Sequence, residues 1–436
     1  MTEVDANAAS AGTPVPPAPE PVDSPPAAGP GPRRRLQAVA VPGTLVVTVL
    51  AVFSALVVGA VIIVATSTAT LTAWGHVLHD PGRAVHTSWT AVETAYAALF
   101  TGALGDPAAY VHAFQQRTAG AFVAAFTPLS ETLVDTAPLL LSGLAVALAF
   151  RAGMFNIGAQ GQIIAGALAG AAIGLVLPGL PGTLHLALGL VGSFAGGAAA
   201  GWVPGVLKAR TGAHEVITTI MLNYVFLNLL VYLLGLPFFL GGGLQVNAIS
   251  RPVPAAVQLP HLAGPGLRVN GGIVVALLAA GAVWWLMRRT TLGFRFRLIG
   301  ASPAAARAAG VDIPKMVTLA FVLAGGLAGL AGGVQVLGVA NQLVPNFGEE
   351  LGFTAIIVAL LGRANPTGVV LAALLFGAFQ AGGLQMQAQT SIPIELVEVI
   401  EAVIVFFIAA PQLVRQLYRI RAQGGGIRLL SQGWGG

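Results

Sequence analysis

Polar side chains able to do chemistry gather in three short clusters of an otherwise apolar chain. The first is Phe155-Asn156-Ile157-Gly158-Ala159-Gln160-Gly161-Gln162, where Asn156, Gln160 and Gln162 bring amides close together. The second is His214-Glu215 followed by Thr218, Thr219 and Asn223. The third is Glu395, Glu398 and Glu401, one carboxylate at every third residue. Amides and hydroxyls bond uncharged polar solutes, and carboxylates can carry protons. None of the clusters makes a nucleophile–base pair. His214-Glu215 begins like the zinc motif H-E-x-x-H, but Thr218 stands where the second histidine belongs. The chain has no cysteine, which removes thiolates, disulfides and cysteine-bound metals. It also lacks G-x-x-x-x-G-K-[ST], the loop that cradles nucleotide phosphates, and G-x-S-x-G. No catalytic residue, metal site or cofactor is therefore expected.

The elements that position these clusters follow from composition. Of 436 residues 56% are hydrophobic and only 8% are charged, against about 25% charged in soluble domains. A soluble surface could not be built from this chain, whereas a lipid-facing one could. Apolar runs at about 43–65, 132–150, 157–178, 185–206, 215–235, 270–288, 316–338, 352–362, 366–384 and 394–412 predict an all-α polytopic membrane protein with about ten spans. The run at 352–362 is short for a crossing and is expected to be half-inserted or tilted. Residues 1–35 form a proline- and alanine-rich tail that cannot make a core. Residues 36–131 hold the first span and an extracytoplasmic amphipathic segment, with a helix expected at 85–104 lying at the interface. The membrane domain is 132–415, and 416–436 is a second tail. With the first tail inside, all 21 Lys and Arg face the cytoplasm except Arg83, Arg117, Arg251 and Arg268. That asymmetry places both termini in the cytoplasm. The net charge of +5 is spread over short loops, so nucleic acid is not an expected partner and the lipid bilayer is.

Within this frame each cluster has a functional and a structural reading. The amides of 155–162 either break a helix beside a permeation path or form an interhelical hydrogen-bonding patch. Glu215, Thr219 and Asn223 fall at helical spacings and can form a polar stripe for packing or pore lining. Glu395, Glu398 and Glu401 are a proton relay or, with better support from their interfacial position, solvated and paired groups. Gly197, Gly201 and Gly205, like Gly325, Gly329 and Gly333, recur every fourth residue, the spacing of close helix contact. Ala145–Arg151 resembles Ile357–Arg363, which leaves open a parallel internal repeat. In the inner loop 288–315, Pro303 suits a helix start, the alanines its interior and Gly310 its end. A short exposed helix is predicted there: Pro303, Ala304, Ala305, Ala306, Arg307, Ala308, Ala309 and Gly310.

Four stretches in order carry a resemblance: Gly153–Gln162, His214–Tyr224, Gly300–Gly310 and Val358–Pro366. Over about 132–412 the chain resembles the inner-membrane permease subunits of ABC importers for nucleosides, within the branched-chain amino acid and simple-sugar permease family. It departs from that pattern at Gln160, where glutamate is common, at His214, where asparagine is common, and at Ala304, where the importer loop leads with glutamate. The resemblance implies a bacterial multi-pass membrane subunit that hydrolyses no ATP itself. It implies a separate ATP-binding cassette subunit gripping Pro303–Gly310, a second permease subunit, identical or homologous, and an extracytoplasmic substrate-binding lipoprotein. It implies a substrate pathway supported by Phe155, Asn156, Gln160, Gln162, Glu215, Thr219 and Asn223. Two alternatives stay open: an ABC permease for simple sugars such as ribose, and an ion-coupled secondary transporter with Glu215 or Glu398 as the coupling site.

Overall fold

The structure is a computed structural model that describes residues 42–177, 179–240, 248–348, 351–390, 392–410, 413–414 and 417–418. The tail over 1–35, with Arg33, Arg34 and Arg35, lies outside the described residues, as do Arg415, Arg419, Arg421 and Arg428. Among the described residues fifteen α-helices form: α1 (Pro42–Thr66), α2 (Thr68–Gly75), α3 (Pro81–Leu104), α4 (Pro107–Gln116), α5 (Ala119–Arg151), α6 (Ala159–Val176), α7 (Gly182–Thr211), α8 (Glu215–Leu234), α9 (Gly272–Arg289), α10 (Thr291–Ala301), α11 (Pro303–Ala308), α12 (Ile313–Gln335), α13 (Leu351–Leu361), α14 (Pro366–Thr390) and α15 (Glu395–Ala409). No strand is formed among the described residues, only isolated bridges at Leu240–Ser250 and His261–Asn270.

Among the described residues eight helices are long and apolar enough to cross a bilayer: α1, α5, α6, α7, α8, α9, α12 and α14. The two remaining apolar runs give shorter helices, 11 residues in α13 and 15 in α15. The run at 352–362 is thus a half-length helix. Sequence alone starts a span at 132. The helix instead begins at Ala119 and runs unbroken through Pro128 and Pro138 for 33 residues. Proline in a membrane helix is tolerated where neighbouring groups take up the freed carbonyls. The predicted helix at 85–104 is α3, started by Asp80, whose carboxylate accepts from the Arg83 N–H. Its buried face, Ala95, Ala98, Leu99 and Ala103, packs on α14, where Gly382 lies against the Leu99 carbonyl.

The core is layered around α5, every residue of which from Thr136 to Ala149 is buried. Helices α9, α12, α13 and α14 pack around it, and α6 and α7 extend the layer beyond α12. Between apolar helices in lipid there is no hydrophobic drive to associate, so contact depends on how closely backbones approach. The glycine spacings supply that approach. Gly197 and Gly201 of α7 lie directly on Gly325 and Gly329 of α12, and Gly166 of α6 lies on Gly329 from the other side. A Cβ on Gly329 would overlap the Ser193 carbonyl and stand 2.8 Å from the Gly197 Cα.

The basic groups divide between two ends of the bundle. Arg151, closing α5, donates from Nε to the Ala364 carbonyl at 2.8 Å and from Nη2 to that of Arg363. The two arginine-ended segments of similar sequence therefore meet at one end. Gly300 of α10 packs there too, against the Arg151 carbonyl and Gly153. At the opposite end Arg268 pairs with Glu131 at 2.8 Å, and the Arg251 guanidinium lies 5.7 Å from the Phe238 ring centre.

Candidate functional site: the α5–α6 break and the α11 handle

Helix α5 stops at Arg151, Gly153 turns the chain with φ +76°, and α6 starts at Ala159 behind Gly158, which has no side chain to cap it. The first N–H groups of a helix have no partner within it. The partner comes from another helix: Asn223 of α8 accepts from the Gly161 N–H through Oδ1 at 2.8 Å and donates through Nδ2 to the Ile157 carbonyl at 2.9 Å. Asn156 and Gln162 close across the same turn, each amide donating to the other at 2.8 and 3.2 Å. Gln160 reaches a fourth segment. Its Oε1 accepts from the Gly352 N–H at 2.9 Å, at the start of α13, and its Nε2 donates to the Phe347 carbonyl at 3.5 Å.

Thr219 turns its hydroxyl back to the Glu215 carbonyl at 2.6 Å and leaves its carbon face against Gly158, where a Cβ would sit 2.9 Å from the Thr219 Cβ. The Glu215 carboxylate pairs with Lys208 of α7 and takes a hydrogen bond from the Phe155 backbone. The Phe155 ring is 37% exposed and tilted against Phe150 at 5.1 Å. All seven residues expected at the pathway therefore gather at one junction of α5, α6, α7, α8 and α13. The amides of Asn156, Gln160, Gln162 and Asn223 are buried and bonded to protein. Phe155 alone among the seven presents a large apolar surface outward.

Sequence reading missed the second halves of these contacts. Gln160 and Gly352 are too far apart in the chain for either to announce the other. Lys208 and Glu215 are seven residues apart across the α7–α8 turn, a spacing that does not itself mark a pair. The opposite face carries two buried atoms without a partner, Arg251 Nε and Asn341 Oδ1. Asn341 has φ +56° and follows a π-helical turn over Val336–Ala340. Glu395 and Glu398 are exposed at the start of α15, and Glu401 is buried. Among the described residues no group of His, Asp and Glu is arranged to hold a metal ion.

The predicted handle forms as α11. The Ser302 hydroxyl accepts from the Ala305 N–H at 3.2 Å and Pro303 occupies the first turn. Gly310 takes φ +73° past its end, a left-handed conformation that favours glycine. Pro303, Ala304, Ala305, Arg307, Ala308, Ala309 and Gly310 are exposed, and only Ala306 is buried. The segment before it, which sequence alone leaves as loop, is a further helix: Thr290 caps α10 by accepting from the Gly293 N–H at 3.1 Å. Asp312 then caps α12 through the Lys315 N–H and pairs with the Lys315 ammonium at 2.8 Å, which holds its carboxyl below the usual range.

Eight helices among the described residues long and apolar enough to span, a clamped helix break and an exposed two-turn helix are the parts of a transport subunit. Residues 129–409 match the family described as branched-chain amino acid transport system / permease component. The chain belongs to that family. Among curated relatives, the guanosine ABC transporter permease protein NupP of Bacillus subtilis is 37% identical over 66% of this chain and 82% of its own length. The glucose ABC transporter permease protein TsgB13 of Haloferax volcanii is 36% identical, over 67% and 78%. The nucleoside ABC transporter permease protein NupB of Lactococcus lactis is 35% identical, over 64% and 79%. No solved structure matches the chain significantly. The protein is thus a multi-pass membrane permease subunit of an ABC transporter and not an enzyme. Family membership carries with it an ATP-binding subunit and a substrate-binding protein as general partners.

Proposed function

We propose that this permease imports nucleosides, driven by ATP hydrolysis on a separate cassette subunit that grips α11. Two of the similar relatives are named for guanosine or nucleoside transport. The site chemistry supports the same solute. Phe155 offers a ring for a base to stack on, and its exposure leaves that face accessible. Asn156, Gln160, Gln162, Glu215, Thr219 and Asn223 support the route by tying the broken helix to α7, α8 and α13. In the bacterial cell membrane both termini face the cytoplasm, and the end bearing Arg151, Arg363 and α11 is the cytoplasmic one, by the excess of basic residues there. A second permease subunit, identical or homologous, completes the pathway, and an extracytoplasmic lipoprotein delivers solute. Reporter fusions after Arg117 and after Gly310 should report opposite sides; the same side would overturn the orientation.

The exposure of α11 is the observation that carries the coupling reading. The chain has no phosphate-cradling loop of its own, so force must enter from outside. Small alanines let a partner surface approach closely, and Ala306 anchors the helix beneath. Ala305→Glu should leave the protein folded in the membrane, since its side chain faces water, and should abolish solute-stimulated ATP hydrolysis or release the cassette. Full ATP-dependent uptake with normal co-purification of the cassette would refute the reading. A second solute class is favoured by one specific finding, the glucose permease at 36% identity. Competition of labelled guanosine uptake by excess guanosine, ribose and glucose separates them, and replacing Phe155 with leucine should weaken nucleoside uptake more than sugar uptake.

A further inference from the structure

The glycine seam that draws α7 and α12 together also shapes what lies beside it. Gly201 and Gly205 bring the α7 backbone onto Phe321 and Thr318, so side chains flanking that contact diverge. They leave an open trough of about 380 Å³ at the basic end, within the range of small-ligand sites. Trp202, Val206 and Arg210 follow one another at every fourth residue on the α7 side, and Lys315, Leu319 and Val322 line the α12 side. The Thr318 hydroxyl is spent on the Gly205 and Pro314 carbonyls, so the walls are apolar and the polarity is confined to one end. Arg210 is exposed there, and no carboxylate among the described residues pairs with it. Lys315 stands 80% exposed with Asp312 on its ammonium. The nearby Lys208 is neutralised by Glu215. Two cations against one acid leave a net positive mouth above an apolar channel.

We propose that this trough binds one anionic phospholipid, with its phosphate on Arg210 and Lys315 and an acyl chain along Trp202, Val206, Leu319 and Val322. Charge and shape agree on the occupant. Cationic groups where spanning helices end attract anionic headgroups, and the exposed Trp202 ring gives an acyl chain an apolar wall to lie on. The span from Trp202 to Arg210 is roughly 12 Å along the helix, room for part of a single acyl chain. Because Pro314 and Lys315 open α12 directly after α11, a lipid held here sits where the handle joins the bundle.

The test uses the full chain, purified in detergent, stripped of lipid and offered phosphatidylglycerol and phosphatidylcholine of equal chain length in equal amounts. Native mass spectrometry counts what stays bound. One phosphatidylglycerol per chain should be retained in preference to phosphatidylcholine. Arg210→Gln should lower that preference about fivefold, and Arg210→Gln with Lys315→Gln should remove it. The Lys315 backbone N–H that Asp312 caps is untouched by either change. Val206→Trp, which fills the trough and keeps both charges, should lose the bound lipid. If Val206→Trp fails to fold, the charge variants decide. Equal retention of the two lipids, or an undiminished preference in the double variant, overturns the proposal. So does displacement by millimolar inorganic phosphate, which would make this an ion site, or loss of self-association in Val206→Trp, which would make the occupant a second copy. None of these readouts depends on which solute is carried.

Discussion

The α7–α12 seam and the α5–α6 junction both bring backbones together inside a lipid-bathed bundle, and they do so by opposite means. At the seam the contact is glycine on glycine. Gly197, Gly201, Gly325 and Gly329 meet with no side chain between them, and the stabilisation is dispersion summed over closely fitted backbone. At the junction the helices are tied by side-chain amides that bond to backbone groups of another segment and to one another. Dispersion at a fitted surface has one optimum, and any added atom removes it. A hydrogen bond to a helix end can be released to water or solute and remade. The seam is therefore suited to hold two spans as one body, and the junction is suited to be the part that changes during transport.

The sharpest way to break the comparison is to add atoms at the seam. Gly329→Leu should be the most damaging single change. A Cβ there meets the α7 backbone at both Ser193 and Gly197, and neither can rotate away as a side chain could. Overpacking typically costs about 1–3 kcal/mol where side chains can yield, and here only whole helices can. The expected result is no monodisperse protein by size-exclusion chromatography. Recovery of a normal yield would mean the seam is looser than its geometry.

At the junction, loss of bonds should damage function before fold. Asn223→Leu orphans the Gly161 N–H and the Ile157 carbonyl together. Each unsatisfied buried group costs about 1–3 kcal/mol, so the thermal midpoint should fall but membrane insertion should persist. Uptake should fall at least tenfold. Wild-type uptake with a lowered midpoint would reduce Asn223 to packing. Gln160 offers a graded version. Gln160→Leu should destabilise the start of α13 by releasing the Gly352 N–H, whereas Gln160→Glu keeps an acceptor for it and gives up only the long 3.5 Å bond to Phe347. Glu should therefore lie closer to wild type than Leu in both midpoint and uptake.

The seam and the handle were legible in the sequence, the junction only in part. Glycines at every fourth residue have one common use between spans, and Gly325 and Gly329 were found in it. Ser302, Pro303 and Gly310 are local signals, complete within a few residues, and α11 follows them. The amides of 155–162 announced a break, but whether they faced solute or protein depended on α8 and α13, which no local pattern specifies. The start of α5 was placed late because the stretch before 132 is more polar, whereas the helix runs from Ala119 through Pro128. Helix α10 was hidden by Arg295 and Arg297 alternating with Phe294 and Phe296, a pattern without helical periodicity. Its cap, Thr290, is a local signal that could have been used.

The smallest effect is expected where the junction touches water. Lys208 and Glu215 tie the end of α7 to the start of α8, with side chains 30% and 13% exposed. Exposed ion pairs contribute about 0–1 kcal/mol, and this one lies between that limit and a buried pair. Its two halves are not equivalent. Glu215 is the better buried, lies in the first turn of α8, where the helix dipole favours a negative charge, and also receives the Phe155 backbone hydrogen bond. Removing the lysine leaves a carboxylate that keeps two of its supports. Removing the glutamate leaves an ammonium that can extend into water, but frees the Phe155 segment and with it one edge of the break. Lys208→Met should therefore shift the thermal midpoint by no more than a few degrees and leave uptake within about twofold. Glu215→Gln, isosteric and still an acceptor for Phe155, should resemble it, and Glu215→Leu should lower uptake more than either. The order in which these three variants fall separates a pair that matters for its charge from one that matters for the backbone it holds: equal losses in Lys208→Met and Glu215→Leu would assign the effect to the charge and detach Glu215 from the junction.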